Sequence, residues 1–406
     1  MRLLEKLPQG PMRDLIWSTL INTLGNGLSV TASTLYAVRV VGVSNRQLGT
    51  GLAAAALVAL IVGLGLGHAA DRFGSRRVLL ALVAGQGGLC FVYAFTRSYW
   101  LFLFVITGLA IGNQGSANVR GALIAQITDP ATRIRERAFL RSVTNFGVGA
   151  GSLIAGIAIT MDTPTAYSTI IIVDGLSFFG AMYFIAKLPQ VTRSADSDSD
   201  PVRATAALRN LPFVTAAGLT GVLCMHYNLL TLAVPLWVVQ QTAAPRWVVA
   251  AAFALNTLMC VLFQVRASGG TETAQSSARV VRGSTFLIGG ACLIYWLAHG
   301  RSSWVAAVLI LLGALVHVIG ELRQSTGAWG MGYALTPGEA HGQYQAVWQS
   351  SFTVGSLIAP PLMAGFVVTH GLLGWSTLAV IFIAAGLAMP IVTRYAVAKL
   401  PSVAGH

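Results

Sequence analysis

Charge is scarce in this chain: only 10% of its 406 residues are Asp, Glu, Lys or Arg, and just three of them are lysines against 23 arginines. A water-soluble domain carries about a quarter charged residues, so a soluble globular protein is excluded. Cysteine is scarce too. The four present, Cys90, Cys224, Cys260 and Cys292, lie inside apolar stretches and form no CxxC pair, which excludes a disulfide framework or a cysteine-built metal site. No P-loop, HExxH or G-x-S-x-G nucleophile elbow occurs, and glycine strings such as GLGLGHAA lack the strand-to-helix setting of a dinucleotide site. Neither an enzyme nor a cofactor is expected on these grounds. The opening MRLLEKLPQGPMRD has no short apolar core, so no cleaved signal peptide is expected.

What is present is apolar length. The chain is 55% hydrophobic, with a mean hydropathy of +0.70. A membrane-crossing helix needs about 20 mostly apolar residues. Twelve segments meet this description: 15–38, 48–67, 78–96, 100–124, 138–160, 167–187, 210–238, 247–265, 283–298, 303–334, 343–369 and 372–393. The ninth is short, and the tenth contains Glu321 and Arg323. The expected class is an all-α polytopic membrane protein in a lipid bilayer.

Net charge is +13, but the basic residues form short clusters between apolar runs rather than one face or tail, so nucleic acid is not an expected partner. With twelve spans and a cytoplasmic N-terminus, 19 Arg and Lys fall in inner segments and five (Arg39, Arg46, Arg97, Arg246, Arg301) in outer loops. The positive-inside bias therefore places both termini in the cytoplasm and the chain in the cell membrane. The excess of arginine over lysine, with abundant alanine and glycine, is consistent with a GC-rich bacterial genome.

RSADSDSDPVRATA, at 193–206, is polar, acidic and proline-containing, and reads as a flexible tether. It divides the chain into a six-helix bundle at 1–188, a cytoplasmic linker at 189–208 and a second six-helix bundle at 209–406. TDPATRIRERAFLRSVTNFGVGAGSLIAG at 128–156 and TPGEAHGQYQAVWQSSFTVGSLIAPPLMAG at 336–365 both run from a Pro-marked loop into a Gly-rich helix. Pro130 and Pro337, like Gly147 and Gly355, stand about half a chain apart, as a duplication predicts. Two such halves are the arrangement of parallel repeats that rock about a central site.

Between the second and third apolar segments stands GHAADRFGSRR, at 67–77. Gly67 allows close helix approach. Asp71, at a helix end, is placed to meet another helix's positive N-terminus or an arginine. Gly74 permits a tight turn, and Arg76 and Arg77 can meet anionic lipid heads. The stretch resembles the loop signature G-x-x-x-D-R-x-G-R-[RK] of the major facilitator superfamily through Gly67, Asp71, Arg72, Gly74, Arg76 and Arg77. The resemblance implies twelve transmembrane helices in two six-helix halves. It also implies a conformational latch at this loop, closing the cytoplasmic side in one state and breaking in the other. The corresponding stretch of the second half, 266–283, reads as a loop without the aspartate. Two family features are missing. Ile111 stands where many proton-coupled members carry an arginine before the Gln114-Gly115 pair, and GVGAGSLIAG lacks the proline of many drug exporters.

An ionisable residue within a span is a functional candidate by default. Glu321, with His317 one turn earlier on the same face, is the first candidate for proton coupling; an ion pair with Arg323 is the structural alternative. Asp174 is either a second coupling site or a packing hydrogen-bond acceptor, and Arg120 snorkels or pairs with loop acids. Asn22, Asn26, Ser29 and Tyr36 of the first span, with His226, Tyr227 and Asn228 of the seventh, are the substrate-cleft candidates. Their amides and phenols suit a neutral or amphiphilic organic molecule. The expectation is a secondary transporter, monomeric and without metal, that exports a small organic molecule in exchange for protons by alternating access. Import of a nutrient is the alternative, and a membrane-embedded sensor or enzyme a remote one.

Overall fold

The computed structural model describes residues 10–159, 163–190, 206–337 and 341–398. Among these residues the secondary structure is helical, without strands. Twelve long helices succeed one another: α1 Pro11–Tyr36, α2 Asn45–Phe73, α3 Ser75–Ala94, α4 Tyr99–Ile127, α5 Arg133–Ile159, α6 Pro164–Ile185, α7 Leu211–Gln241, α8 Trp247–Phe263, α9 Ala274–Leu297, α10 Ser303–Ala334, α11 His341–Val367 and α12 Leu372–Ala398. Among the described residues, nine are long and apolar enough to cross a membrane, and α8 is a shorter apolar helix. The linker expected at 189–208 lies mostly outside the described residues, at 191–205. Its end, Ala206–Arg209, is a single helical turn.

The helix starts follow local chemistry. Ser44 accepts from the Gln47 amide while the Gln47 side chain accepts from the Ser44 amide, a capping box that opens α2. Ser98 and Thr163 cap α4 and α6 in the simpler way, with Pro164 in the first turn of α6. Thr273 and Ser276 form a second capping box, so α9 begins at Ala274 and is 24 residues long. This corrects two expectations, the short ninth span and the loop at 266–283. Arg279 and Arg282 suppressed the hydropathy there, yet both lie on the exposed face while Ala278 and Val281 are buried.

The chain divides into two compact units, Met1–Ala204 with Glu339–Gln349, and Thr205–Gly338 with Ser350–His406. In the first, α1 packs on α5 and α6, α2 on α4, and α3 on α4 and α6. In the second, α9 packs on α10 and α12, and α8 on α10. The glycines of the repeated motif act alike in both. A methyl group on Gly147 or Gly151 would strike Thr23 or the Leu24 carbonyl of α1, and one on Gly355 of α11 would strike the Gly221 carbonyl of α7. Each is a helix crossing at backbone distance, the contact that gives dispersion its reach where water offers no hydrophobic drive.

Helix α7 is not regular. After Cys224 comes a 3₁₀ turn at Met225–Tyr227 and a wide π turn at Leu229–Ala233, before regular helix resumes with Pro235 in its first turn. Proline lacks the amide hydrogen a regular helix would use there, and the turn widens to compensate. His226, Tyr227 and Asn228 therefore sit where the backbone winds differently from the rest of the helix.

Candidate functional site

In the second unit the irregular stretch of α7 carries His226 against α10. His226, His317 and Glu321 are all buried. His226 Nδ1 lies 3.1 Å from His317 Nε2, and His226 Nε2 lies 3.4 Å from Gln324 Oε1. The Tyr227 hydroxyl donates to the same oxygen, at 3.3 Å. The oxygen acceptor at Gln324 makes His226 Nε2 a donor, and the pattern that follows is that of the neutral ring. His226 Nδ1 then accepts from His317 Nε2–H, which leaves His317 Nδ1 bare, and it has no hydrogen-bond partner among the described residues. One turn along α10, the Glu321 carboxylate accepts from Asn256 Nδ2 of α8 at 2.8 Å, with the Cys260 thiol 3.8 Å from its other oxygen. Tyr295 of α9 stands edge-on to His317, its ring tied to Trp375.

The result is a buried cluster of exchangeable groups: Tyr227 and His226 on Gln324, His317 on His226, and Glu321, one turn from His317, on Asn256. Imidazole and carboxyl groups are of the kinds that can carry a proton. Ligand-type atoms of His226, His317 and Glu321 lie within 4.8 Å of one another, a spacing a divalent ion could also use. The hydrogen-bond partners they show are protein groups. Arg323 is exposed while Glu321 is buried, so the two side chains leave α10 on different faces. Asn228 is half-buried.

Residues read separately in the sequence, His226 and Tyr227 as cleft residues and His317 and Glu321 as a coupling pair, thus form one cluster. Asn256, Cys260, Gln324 and Tyr295 complete it and were not foreseen. Amides and phenols in the middle of apolar helices carry no spacing that marks them, apart from Gln324, one turn beyond Glu321.

In the first unit the loop motif meets the start of α11. Asp71 accepts from the backbone amides of Gly342 at 2.7 Å and Gln343 at 3.0 Å. A carboxylate on the first-turn amides of a helix satisfies unpaired donors and meets the positive end of the helix dipole. The Gln343 side chain also reaches His68 Nδ1, at 3.2 Å. Gly67 brings the backbones together, since a methyl group there would come within 2.5 Å of the Gly342 carbonyl oxygen. Gly74 has φ +90°, a conformation that joins α2 to α3 without a loop and disfavours any side chain. Arg76 donates to the Ala186 carbonyl at the end of α6, and Arg72 and Arg77 are exposed.

The remaining candidates lie elsewhere in this unit. Tyr36 is fully buried, its hydroxyl on the Ala94 carbonyl at 2.8 Å and met by Arg97, so it fastens α1 to the end of α3. Asn22 and Asn26 face each other at a long 3.5 Å. Asn26 and Ser29 border a cavity that also holds Asp174. Arg120 is half-buried with Thr19 Oγ1 at 3.4 Å.

The family description Major Facilitator Superfamily matches residues 15–333. Among solved structures, the human organic anion transporter MFSD10 (TETRAN) superposes with a TM-score of 0.72 at 16% identity, covering 94% of this chain and 100% of that one. A bacterial homologue of the iron transporter ferroportin, in an outward-facing state, gives 0.67 at 15% identity, over 96% and 100%. The transporter FucP, in its outward conformation, gives 0.64 at 14% identity, over 95% and 98%. At such identities the likeness is one of fold. With the family match over most of the chain, the helix succession and the loop motif, this chain belongs to the major facilitator superfamily and is a multi-pass membrane transporter rather than an enzyme.

Proposed function

We propose that this transporter exports a small organic molecule across the cell membrane in exchange for protons, cycling between inward- and outward-open states with both termini in the cytoplasm. The observation that carries the reading is the buried Glu321–His317–His226 cluster. A carboxyl group and two imidazoles out of reach of bulk water can load and release a proton, and they lie where α7 departs from regular winding. Protons drive a cycle only if the two states hold them with different affinity. A cluster joining α7, α8 and α10 changes its geometry whenever those helices shift, which supplies that difference. The Asp71 clamp on α11 is the second element: made in one state and broken in the other, it sets the balance between them, with the neighbouring arginines on the cytoplasmic side. One chain contains every part named, so a monomer suffices.

The test is accumulation of a panel of lipophilic dyes and antibiotics in pump-deficient bacteria expressing the chain, with and without a protonophore. Lowered accumulation that the protonophore reverses and Glu321→Gln loses is the expected result. Protonophore-sensitive uptake instead would establish import, the reading that the missing proline of α5 leaves open.

A further inference from the structure

The first unit holds a partly open cavity of about 380 Å³ between α1, α3, α4 and α6. Its wall is mostly uncharged: Asn26 and Ser29 of α1, Asn113 of α4, and the rings of Tyr93 and Phe178. Asp174 supplies the one carboxylate among the described residues that line it. The side chain is 4% exposed. Its Oδ2 accepts a short hydrogen bond from Ser29 Oγ, at 2.6 Å, with the Cys90 thiol at 3.9 Å. Ser177 Oγ spends its hydrogen on the Asp174 backbone carbonyl at 2.7 Å and stands 3.4 Å from Oδ1.

Among the described residues, no arginine, lysine or histidine forms an ion pair with this carboxylate. Nor is the group free to turn away, because α1 presses on it at Gly25, where a methyl group would lie 2.6 Å from Oδ1. A buried carboxylate is stable only when it is neutral or when a positive charge lies beside it. The space beside this one is far larger than a proton or a bare ion needs and falls within the range of small-molecule sites. Tyr93 and Phe178 border the same space, and the side-chain amides of Asn26 and Asn113 offer hydrogen-bond acceptors.

We propose that this cavity binds a small organic monocation, an amine or quaternary ammonium, with Asp174 as its counter-ion. It is a binding site within the first bundle, distinct from the Glu321 cluster of the second. The inference rests on the transport reading only in naming this molecule the cargo. The ammonium group supplies the positive charge that the carboxylate lacks. The wall has room for one positive charge, and it disfavours anions, which would meet the carboxylate without a cation to offset it.

Cys90 reports on the cavity from inside. In the full chain with Cys224, Cys260 and Cys292 replaced by alanine, purified in detergent, Cys90 is treated with trimethylammonioethyl methanethiosulfonate or its sulfonatoethyl counterpart. Modification is followed by intact mass, and each rate is normalised to that with a free thiol in solution. The cationic reagent reacts about tenfold faster or more; Asp174→Asn brings the ratio near one, and Asp174→Glu keeps it. Benzyltrimethylammonium, and not benzyl alcohol, slows labelling of Cys90 by neutral N-ethylmaleimide, an arm that needs no variant at Asp174. Equal or reversed rates, a ratio unchanged by Asp174→Asn, absence of reaction with either reagent, or equal protection by amine and alcohol would each overturn the proposal. No gradient is applied, so failure of the proton-exchange reading leaves these results unchanged. Amine binding without any amine transport would separate the two in the other direction.

Discussion

Two buried carboxylates, one in each compact unit, are solved in opposite ways. Glu321 is packed in: an asparagine amide, a thiol and two imidazoles surround it, and its neighbours are exchangeable groups. Asp174 stands beside a cavity: one serine hydroxyl at short distance, a second serine and a thiol at long distance, and open space bordering the rest. A packed polar cluster leaves space for a proton or at most a single ion, whereas a cavity beside a fixed charge has room for a molecule. The difference teaches that an acid within a span is not one kind of site, and that what lies beside it decides its use.

Breaking the Glu321 side has the largest expected effect. Glu321→Gln keeps the shape and the Asn256 contact but removes the titrating oxygen, so accumulation driven by a pH gradient falls to the level of protein-free vesicles. Substrate exchange at equal pH on both sides persists, as a tracer counterflow assay shows. The next effect is on stability and sharpens the contrast. Asn256→Ala strips a donor from a carboxylate packed among protein groups and costs about 1–3 kcal/mol, while Ser29→Ala, at a carboxylate that keeps Ser177 nearby, costs about 0.5–1.5 kcal/mol. Thermal unfolding of the two variants in detergent measures the difference. On the Asp174 side, Asp174→Asn weakens binding of an ammonium ligand about tenfold, or about 1.4 kcal/mol, and leaves binding of a neutral analogue unchanged by calorimetry. The smallest effect is at the cytoplasmic loop. Asp71→Asn removes the charge from the α11 amides, worth about 0.3–1 kcal/mol, so turnover in proteoliposomes slows a few-fold while topology is kept.

Most of the fold was legible because lipid imposes a length and composition on each helix, and twelve apolar segments correspond to twelve helices. Where charge lay on one helical face, as at Arg279 and Arg282, the apolar count began α9 too late. The break in α7 was not legible, since Pro235 marks a disturbance without saying that the turns before it widen. Of the candidate sites, Glu321 with His317 could be read from spacing on one helix, and Asp71 from its loop. That His226 would join them depends on how α7 crosses α10, which no local pattern encodes. The cavity at Asp174 was hidden for the same reason: Asn26, Cys90, Asn113 and Asp174 come from four helices, and an empty space has no sequence of its own.

The most direct measurement of the central claim is proton movement in proteoliposomes carrying a trapped pH-sensitive dye, with a quaternary ammonium substrate added to one side. For the unaltered chain, substrate-evoked proton flux in the direction opposite to substrate movement is predicted, and it is absent in Glu321→Gln. Full proton flux in that variant, or substrate transport by the unaltered chain with no proton movement at all, would contradict it.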